Sequence, residues 1–331
     1  MCIGDCNMDN YKLKFLQDSK FLVTGGAGFI GSNLVERILE LGYQVRVLDN
    51  FSTGKEENIR EFIGHSRFSL MKGDIRNIED CQEACKNVDF ILHQAALGSV
   101  PRSIEDPIST NDINISGTLN MMIAARDSNV KRFVYASSSS VYGDIEELPK
   151  NENRIGKPLS PYAISKLTVE LYGKNFFDIF GLPAIGLRYF NVYGKRQDSN
   201  SMYAAVIPSF IKKLLNNEIP RIYGDGKQSR DFTYVENVVQ ANLRACIAEQ
   251  EALGEVFNIG NEERITINDL YLKLCESLNI DIAPNYVSER AGDIKHSNAD
   301  ISKAKNILKY EPDYSFNEGL EKCIDWYKNH L

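Results

Sequence analysis

The stretch Thr24-Gly25-Gly26-Ala27-Gly28-Phe29-Ile30-Gly31 decides the fold of this chain. A short apolar run over 21–24 precedes it, and residues 30–41 follow with apolar side chains at helical spacing. A strand, a tight turn and a helix in that order suit a dinucleotide pyrophosphate. Glycines 25, 28 and 31 close the turn, let backbone approach the phosphates and let the helix pack near the strand. The first helical N–H groups then face the anion with the positive end of the helix dipole behind them. Asp49 ends the next strand, over 44–49, where a carboxylate accepts from ribose hydroxyls and repels a 2′-phosphate. The expected cofactor is therefore NAD rather than its phosphorylated form. Asp74 ends a third strand, and its carboxylate with the Ile75 N–H is placed to hold adenine.

Outward from this motif the alternation continues. Patterning predicts further strands over 68–71, 89–93, 133–137 and 184–188, and helices over 79–86, 110–128 and 162–180. Strands alternating with helices of this length make crossover units and a mostly parallel sheet covered on both faces. The predicted fold class is α/β, a Rossmann-type doubly wound parallel sheet with a smaller mixed α/β C-terminal lobe. Regular alternation weakens after Asn191, with turns at Gly224-Asp225-Gly226 and Gly260-Asn261 and helical stretches over 205–216, 235–248, 268–278 and 316–328. The expected division is a NAD-binding domain over 1–191, with a return segment near 235–260, and a substrate lobe over 192–331. Residues 1–19 carry one amphipathic run, YKLKFLQD, expected to form a leader helix against the main domain.

Composition narrows the function classes. Lys+Arg 38 against Asp+Glu 45 gives a net charge of −7, which argues against broad binding to nucleic acid or an anionic membrane. No apolar run approaches the ~18 residues of a transmembrane helix. No secretory signal is visible, and the seven cysteines are odd in number and scattered, as in reduced cytosolic proteins. A cytoplasmic location is expected. Neither the cysteines nor the four histidines have metal-ligand spacing, so no metal is expected.

The order TGGAGFIG, GDI (73–75) and HQAA (93–96) resembles the extended short-chain dehydrogenase/reductase superfamily, over nearly the whole chain. Within it the resemblance is to nucleotide-sugar epimerases, and most to UDP-N-acetylglucosamine 4-epimerases. It implies a cofactor set of Gly25, Gly28, Phe29, Ile30, Gly31, Asp49, Asn50, Ser52, Thr53, Gly54, Asp74, Ile75, Gln94, Ala95, Ala96, Asn114, Tyr162, Lys166 and Tyr189. His93 reads as structural. Two motifs carry the chemistry, YASSSSVYG (135–143) and SPYAISK (160–166). Tyr162 and Lys166 share one helix face. A free tyrosine has a pKa of ~10, and a nearby ammonium and a cationic nicotinamide both favour the phenolate. The pair suits removal of a hydroxyl proton as hydride leaves the adjacent carbon. By position in the family pattern, Ser138 relays or orients that proton.

Related dehydratases carry an Asp-Glu pair where this chain has Ser139 and Ser140, and decarboxylating relatives carry Glu at the latter. Oxidation followed by reduction, with no net redox, remains. The resemblance places Asn191, Arg230 and Arg290 on a diphosphate, Val206 near uracil and Asp293 on a ribose. Arginine forks onto phosphate oxygens. Ser99, Ser138, Ser139 and Tyr162 would meet the sugar. Ser297 stands where plain-hexose epimerases commonly carry tyrosine, which leaves room for an N-acetyl group.

The implied activity is C4 epimerisation of UDP-N-acetylglucosamine and UDP-N-acetylgalactosamine through a 4-keto sugar with tightly held NAD. The implied assembly is a homodimer through the helices over 110–128 and 162–180, and surface polysaccharide supply would fit. UDP-glucose or UDP-uronic acid epimerases, a nucleotide-sugar ketoreductase and a non-catalytic NAD-sensing module stay open as alternatives.

Overall fold

The computed structural model describes residues 15–199, 205–289 and 295–330. In chain order the strands are β1 (Lys20–Thr24), β2 (Gln44–Asp49), β3 (Phe68–Lys72), β4 (Phe90–His93), β5 (Arg132–Ser138), β6 (Ala184–Tyr189), β7 (Val192–Tyr193), β8 (Arg221–Tyr223), β9 (Ser229–Arg230), β10 (Thr233–Tyr234), β11 (Val256–Ile259), β12 (Ile265–Thr266) and β13 (Asn285–Val287). The α-helices are α1 (Phe29–Glu40), α2 (Ile78–Cys85), α3 (Val100–Glu105), α4 (Pro107–Asn111), α5 (Thr118–Asp127), α6 (Pro161–Phe180), α7 (Val206–Leu215), α8 (Val235–Cys246), α9 (Ile267–Leu278) and α10 (Phe316–His330).

Seven strands form one sheet in the order β11-β6-β5-β4-β1-β2-β3, every neighbouring pair parallel. The order reverses between β1 and β4, which opens a crevice beyond the carboxyl ends of those strands. Central strands β4 and β6 are buried along their whole length, as a parallel sheet covered on both faces requires. One face packs on Leu34, Val35 and Ile38 of α1 and Val238 and Val239 of α8. The other packs on Cys81 of α2, Met121 and Met122 of α5, and Val169 and Phe176 of α6. A third core joins α7, α9 and α10 through Ile207, Phe210, Leu270, Leu274, Leu320 and Ile324. The remaining strands are two or three residues long and pair β7 with β10, β9 with β12 and β8 with β13.

The helical stretch expected over 110–128 is present and runs without a break through α4, a π-helical segment and α5. The wide π-helical segment, Asp112–Gly117, turns Asn114 inward onto the 97 backbone, which helical periodicity cannot register. The strand β11 carries no alternation signal, being four residues with a fully buried Asn258 among them. Of the expected leader helix, residues 1–14 lie outside the described residues. The described part, 15–19, is a turn in which Ser19 N–H donates to Leu16 O at 2.9 Å and Phe15 packs edge-on to Phe21, Tyr43 and Phe90.

Candidate active site

The site lies along the carboxyl ends of the parallel strands. At the end of β1, Gly25 adopts φ +67°, and a Cβ there would sit 2.8 Å from the Ala95 nitrogen. A Cβ on Gly31 would collide with the Gly25 carbonyl. Both positions therefore demand glycine. No side chain caps α1 at Gly28, so its first N–H groups are left for an anion.

Asp49 closes β2. Its carboxylate accepts from Ala27 N–H at 2.9 Å and Phe51 N–H at 2.8 Å, which fixes it on the wall beside the glycine turn. Burial holds its carboxyl above the usual range, with those two hydrogen bonds opposing. Asp74 follows β3, and Arg76, with Asn50 at 2.8 Å, holds its carboxyl well below the usual range. The α1 terminus, the paired hydrogen-bonded carboxylates and the glycine cradle fit a dinucleotide.

Beyond β4, His93 is buried between two hydroxyls, with Nδ1 2.8 Å from Thr24 Oγ1 and Nε2 2.9 Å from Thr118 Oγ1. Burial lowers its pKa to about 3, so it stays neutral. It ties β1, β4 and α5 together, as a structural histidine does. Asn114 braces the next loop: its Oδ1 accepts from Leu97 N–H at 2.8 Å and its Nδ2 donates to Leu97 O and Ser165 Oγ.

The corner that carries the expected Tyr162–Lys166 pair joins the end of β5 to the start of α6. Ser160 caps α6 through Ala163 N–H at 3.1 Å, and Pro161 takes the first helical position. This sets Tyr162 and Lys166 on the helix face toward β5. Lys166 is buried and donates from Nζ to Ala136 O at 2.9 Å, its nitrogen 5.9 Å from the Tyr162 ring centre. Burial lowers its pKa to about 8, and the Glu170 carboxylate one turn further on pushes back. Burial also raises the Tyr162 phenol, which the Ser138 hydroxyl partly offsets. In the protein alone, desolvation is the larger influence on Tyr162 and favours the neutral phenol.

A cavity of about 1010 Å³ connects these parts. It is lined by every expected cofactor residue except Asn114, which stands behind the wall, and by Ser99, Ser138, Ser139 and Asn191. A second pocket of about 280 Å³ adjoins it at Asn191 and Ala205 and is lined by Val206 and Arg230. The Arg230 guanidinium donates to Ser229 O at 3.0 Å and Lys295 O at 3.2 Å. Ser297 is buried next to this strand, its N–H donating to Ser229 O at 3.1 Å, and lines neither cavity among the described residues. The expected sites Arg290 and Asp293 lie outside the described residues.

Sequence reasoning missed several wall residues. Lys55, Arg196, Gln197 and Asp198 line the larger cavity, and Arg221, Tyr223 and Gln228 the smaller one. Lys55 and Asp198 meet at 3.1 Å across the opening, a pairing between distant loops that no local motif signals.

Residues 21–260 match the NAD dependent epimerase/dehydratase family. The chain belongs to that family, and its cofactor is NAD. A UDP-N-acetylglucosamine 4-epimerase from Methanobrevibacter ruminantium, solved with UDP-N-acetylmuramic acid, is 41% identical with a TM-score of 0.91, covering 96% of this chain and 100% of that one. A UDP-glucose 4-epimerase from Thermotoga maritima, solved with UDP-glucose, is 37% identical (TM-score 0.89; 94% of this chain, 99% of that one). A UDP-glucuronic acid 4-epimerase from Bacillus cereus, solved with UDP-glucuronic acid and NAD, is 34% identical (TM-score 0.87; 94% and 100%).

Proposed function

We propose that this protein is a UDP-sugar 4-epimerase that interconverts UDP-N-acetylglucosamine and UDP-N-acetylgalactosamine. The observation that carries the reaction type is the distribution of carboxylates. Among the described residues, those lining the main cavity are Asp49, Asp74 and Asp198, and none stands on the β5–α6 corner beside Tyr162. Elimination of water needs an acid and a base at that corner; reversible oxidation needs only a proton carrier.

Tyr162 takes the C4 hydroxyl proton, Ser138 orients that hydroxyl, and Lys166 stabilises the phenolate. The keto sugar turns over about its diphosphate linkage, and Tyr162 returns the proton on the other face. NAD, held by the glycine turn, the α1 terminus and Asp49, supplies hydride exchange when bound. Asn191, Arg230, Arg290 and Asp293 are the proposed diphosphate and ribose partners, Val206 lies on the uracil side, and Ser99 and Ser139 meet the sugar.

One feature supports the acetylated substrate, the likeness to the Methanobrevibacter enzyme; Ser297 is the proposed specificity position by its place in the family pattern alone. One observation favours a second reading. Arg102 lines the cavity beside Ser99, and a guanidinium there matches the carboxylate of a UDP-uronic acid.

Purified protein without added cofactor, incubated separately with UDP-N-acetylglucosamine, UDP-glucose and UDP-glucuronic acid, tests this by proton NMR. UDP-N-acetylgalactosamine as the fastest product supports the proposal. No conversion of any sugar, with NAD supplied, overturns it.

A homodimer is proposed, as the resemblance implies, through the helical stretch over 110–128 and α6; the first turn leading into that stretch exposes Ile108 (75%), and α6 exposes Ile164 and Leu171 (65%). Light scattering on Ile108→Lys combined with Leu171→Lys should show half the wild-type mass.

A further inference from the structure

Beneath the catalytic corner lies a buried ion pair to which the reaction above assigns no task. Glu170 stands one turn beyond Lys166 on α6. Arg188 of β6 grips its carboxylate with two bonds, Nε to Oε1 at 2.8 Å and Nη2 to Oε2 at 2.7 Å. Ser137 of β5 donates a third to Oε1 at 2.5 Å. The side chains of Arg188 and Glu170 are only 1% and 5% exposed. The remaining Arg188 nitrogen donates to Tyr142 Oη at 3.0 Å and Glu152 O at 3.3 Å, and Tyr142 donates in turn to Asn258 at 2.6 Å.

We propose that Glu170, clamped by Arg188 and Ser137, is a positioning residue for proton transfer: its carboxylate is the counter-charge that keeps Lys166 an ammonium beside Tyr162. The proposal rests on the assignment of Tyr162 and Lys166 as the reacting pair. Three observations carry it. First, a buried ion pair contributes little net stability compared with a packed apolar pair, so stability alone does not account for one at this depth. Second, the groups around Lys166 leave Glu170 as its counter-charge. Tyr162 on α6 is a phenol raised by burial, His93 on β4 is neutral, and β5 offers the Ala136 carbonyl and the buried phenol of Tyr135. Arg188 on β6 is a cation turned onto Glu170, while Tyr142 and Glu152 lie on its far side. Third, Ser137 follows directly on Ala136, whose carbonyl takes the Lys166 ammonium. One strand therefore registers both the lysine and its counter-charge.

The three donors also fix where the carboxylate sits. With both oxygens occupied, it cannot swing onto Lys166 and form a closed pair that would quench the ammonium's field at Tyr162. The arrangement supplies charge balance at one remove and leaves Lys166 free to act on the phenol.

The test uses the NAD-loaded protein and needs no sugar turnover. Titration of Tyr162 is read as the near-ultraviolet difference spectrum against Tyr162→Phe. Glu170→Gln is combined with Arg188→Gln, because removing one partner strands a buried charge. Expected is a Tyr162 titration about one pH unit higher than in the parent, with no such shift when the same changes are made in a Lys166→Met background. Glu170→Asp keeps both charges but draws the carboxylate back by one methylene; it should give a smaller shift in the same sense and guards against misfolding of the double variant. An unchanged titration in folded, NAD-loaded variants overturns the proposal. So does a shift that persists without Lys166, since a packing defect would produce that. Failure of the wild type to epimerise any UDP-sugar would instead strike the functional reading, so the two failures are distinct.

Discussion

At the cofactor end of the cavity, each wall segment follows directly on a long strand of the parallel sheet: the glycine turn after β1, Asp49 at the end of β2, Asp74 after β3, Gln94 after β4. At the other end the wall comes from Asn191, Val206, Arg221 and Arg230, carried by two- and three-residue strands and a helix start. The first end borrows its geometry from a rigid sheet. The second must be positioned by distant contacts. Asn191 shows this, donating to Asp231 O at 3.0 Å from a left-handed backbone (φ 33°). Asp231 is fully buried and accepts from the N–H groups of Asn261, Glu262 and Ala299 at 2.8–3.1 Å. That one carboxylate ties two separate chain segments, 261–262 and 299, to its own loop. Specificity changed by substitution should therefore be found mainly at the second end, and loss of cofactor at the first.

The largest effect is expected at the junction of the two ends. Tyr162→Phe should lower turnover by about 10²–10⁴-fold, the usual share of a general acid–base group, with NAD content and melting temperature unchanged. If more than a tenth of the activity survived, the catalytic corner would be misassigned. At the second end, Ser297→Tyr should move the ratio of kcat/KM for acetylated over plain sugar by about 10–200-fold toward the plain sugar. Competition assays with both substrates would read it, and an unmoved ratio would remove Ser297 from the specificity argument.

At the first end, Gly31→Ala drives a methyl into the Gly25 carbonyl. It should destabilise the protein by about 1–3 kcal/mol and strip NAD during purification. Protein that kept its full NAD content would show that the turn yields more easily than its geometry implies.

The smallest effect concerns pH. His93 has an ordinary value of 6.5 and is lowered to about 3 by burial, so the unfolded chain binds a proton between those values that the folded protein does not. Its contribution to stability is complete above pH 6.5 and is lost as pH falls toward about 3. His93→Gln should flatten that part of the melting-temperature profile. An unchanged slope would place the acid sensitivity elsewhere.

How much could be read in advance follows the same division. The β1 turn, Asp49, Asp74 and the Tyr162–Lys166 pair are legible because each stands at a strand end or in a helix start whose local pattern marks it, although Asp49 meets Ala27, Asp74 meets Asn50 and Lys166 meets Ala136 only in the fold. The family pattern gives Asn114 the task of supporting the segment that closes over the cofactor, and from a π-helical segment it braces the Leu97 backbone directly after that segment. Lys55, Asp198 and Arg196 escaped notice, since their roles depend on loops far apart in sequence meeting over one opening.

The chain's local chemistry was enough to specify a doubly wound sheet, a dinucleotide turn and a tyrosine–lysine pair. Glycine positions, strand-end carboxylates and helical spacing act within single turns of backbone. Folding alone brought Glu170 between Arg188 and Ser137, set Asp231 under two separate segments and joined the two cavities at Asn191. A buried charge has no meaning in a linear sequence; its partners, and hence its energy, exist only once the low-dielectric interior has closed around it.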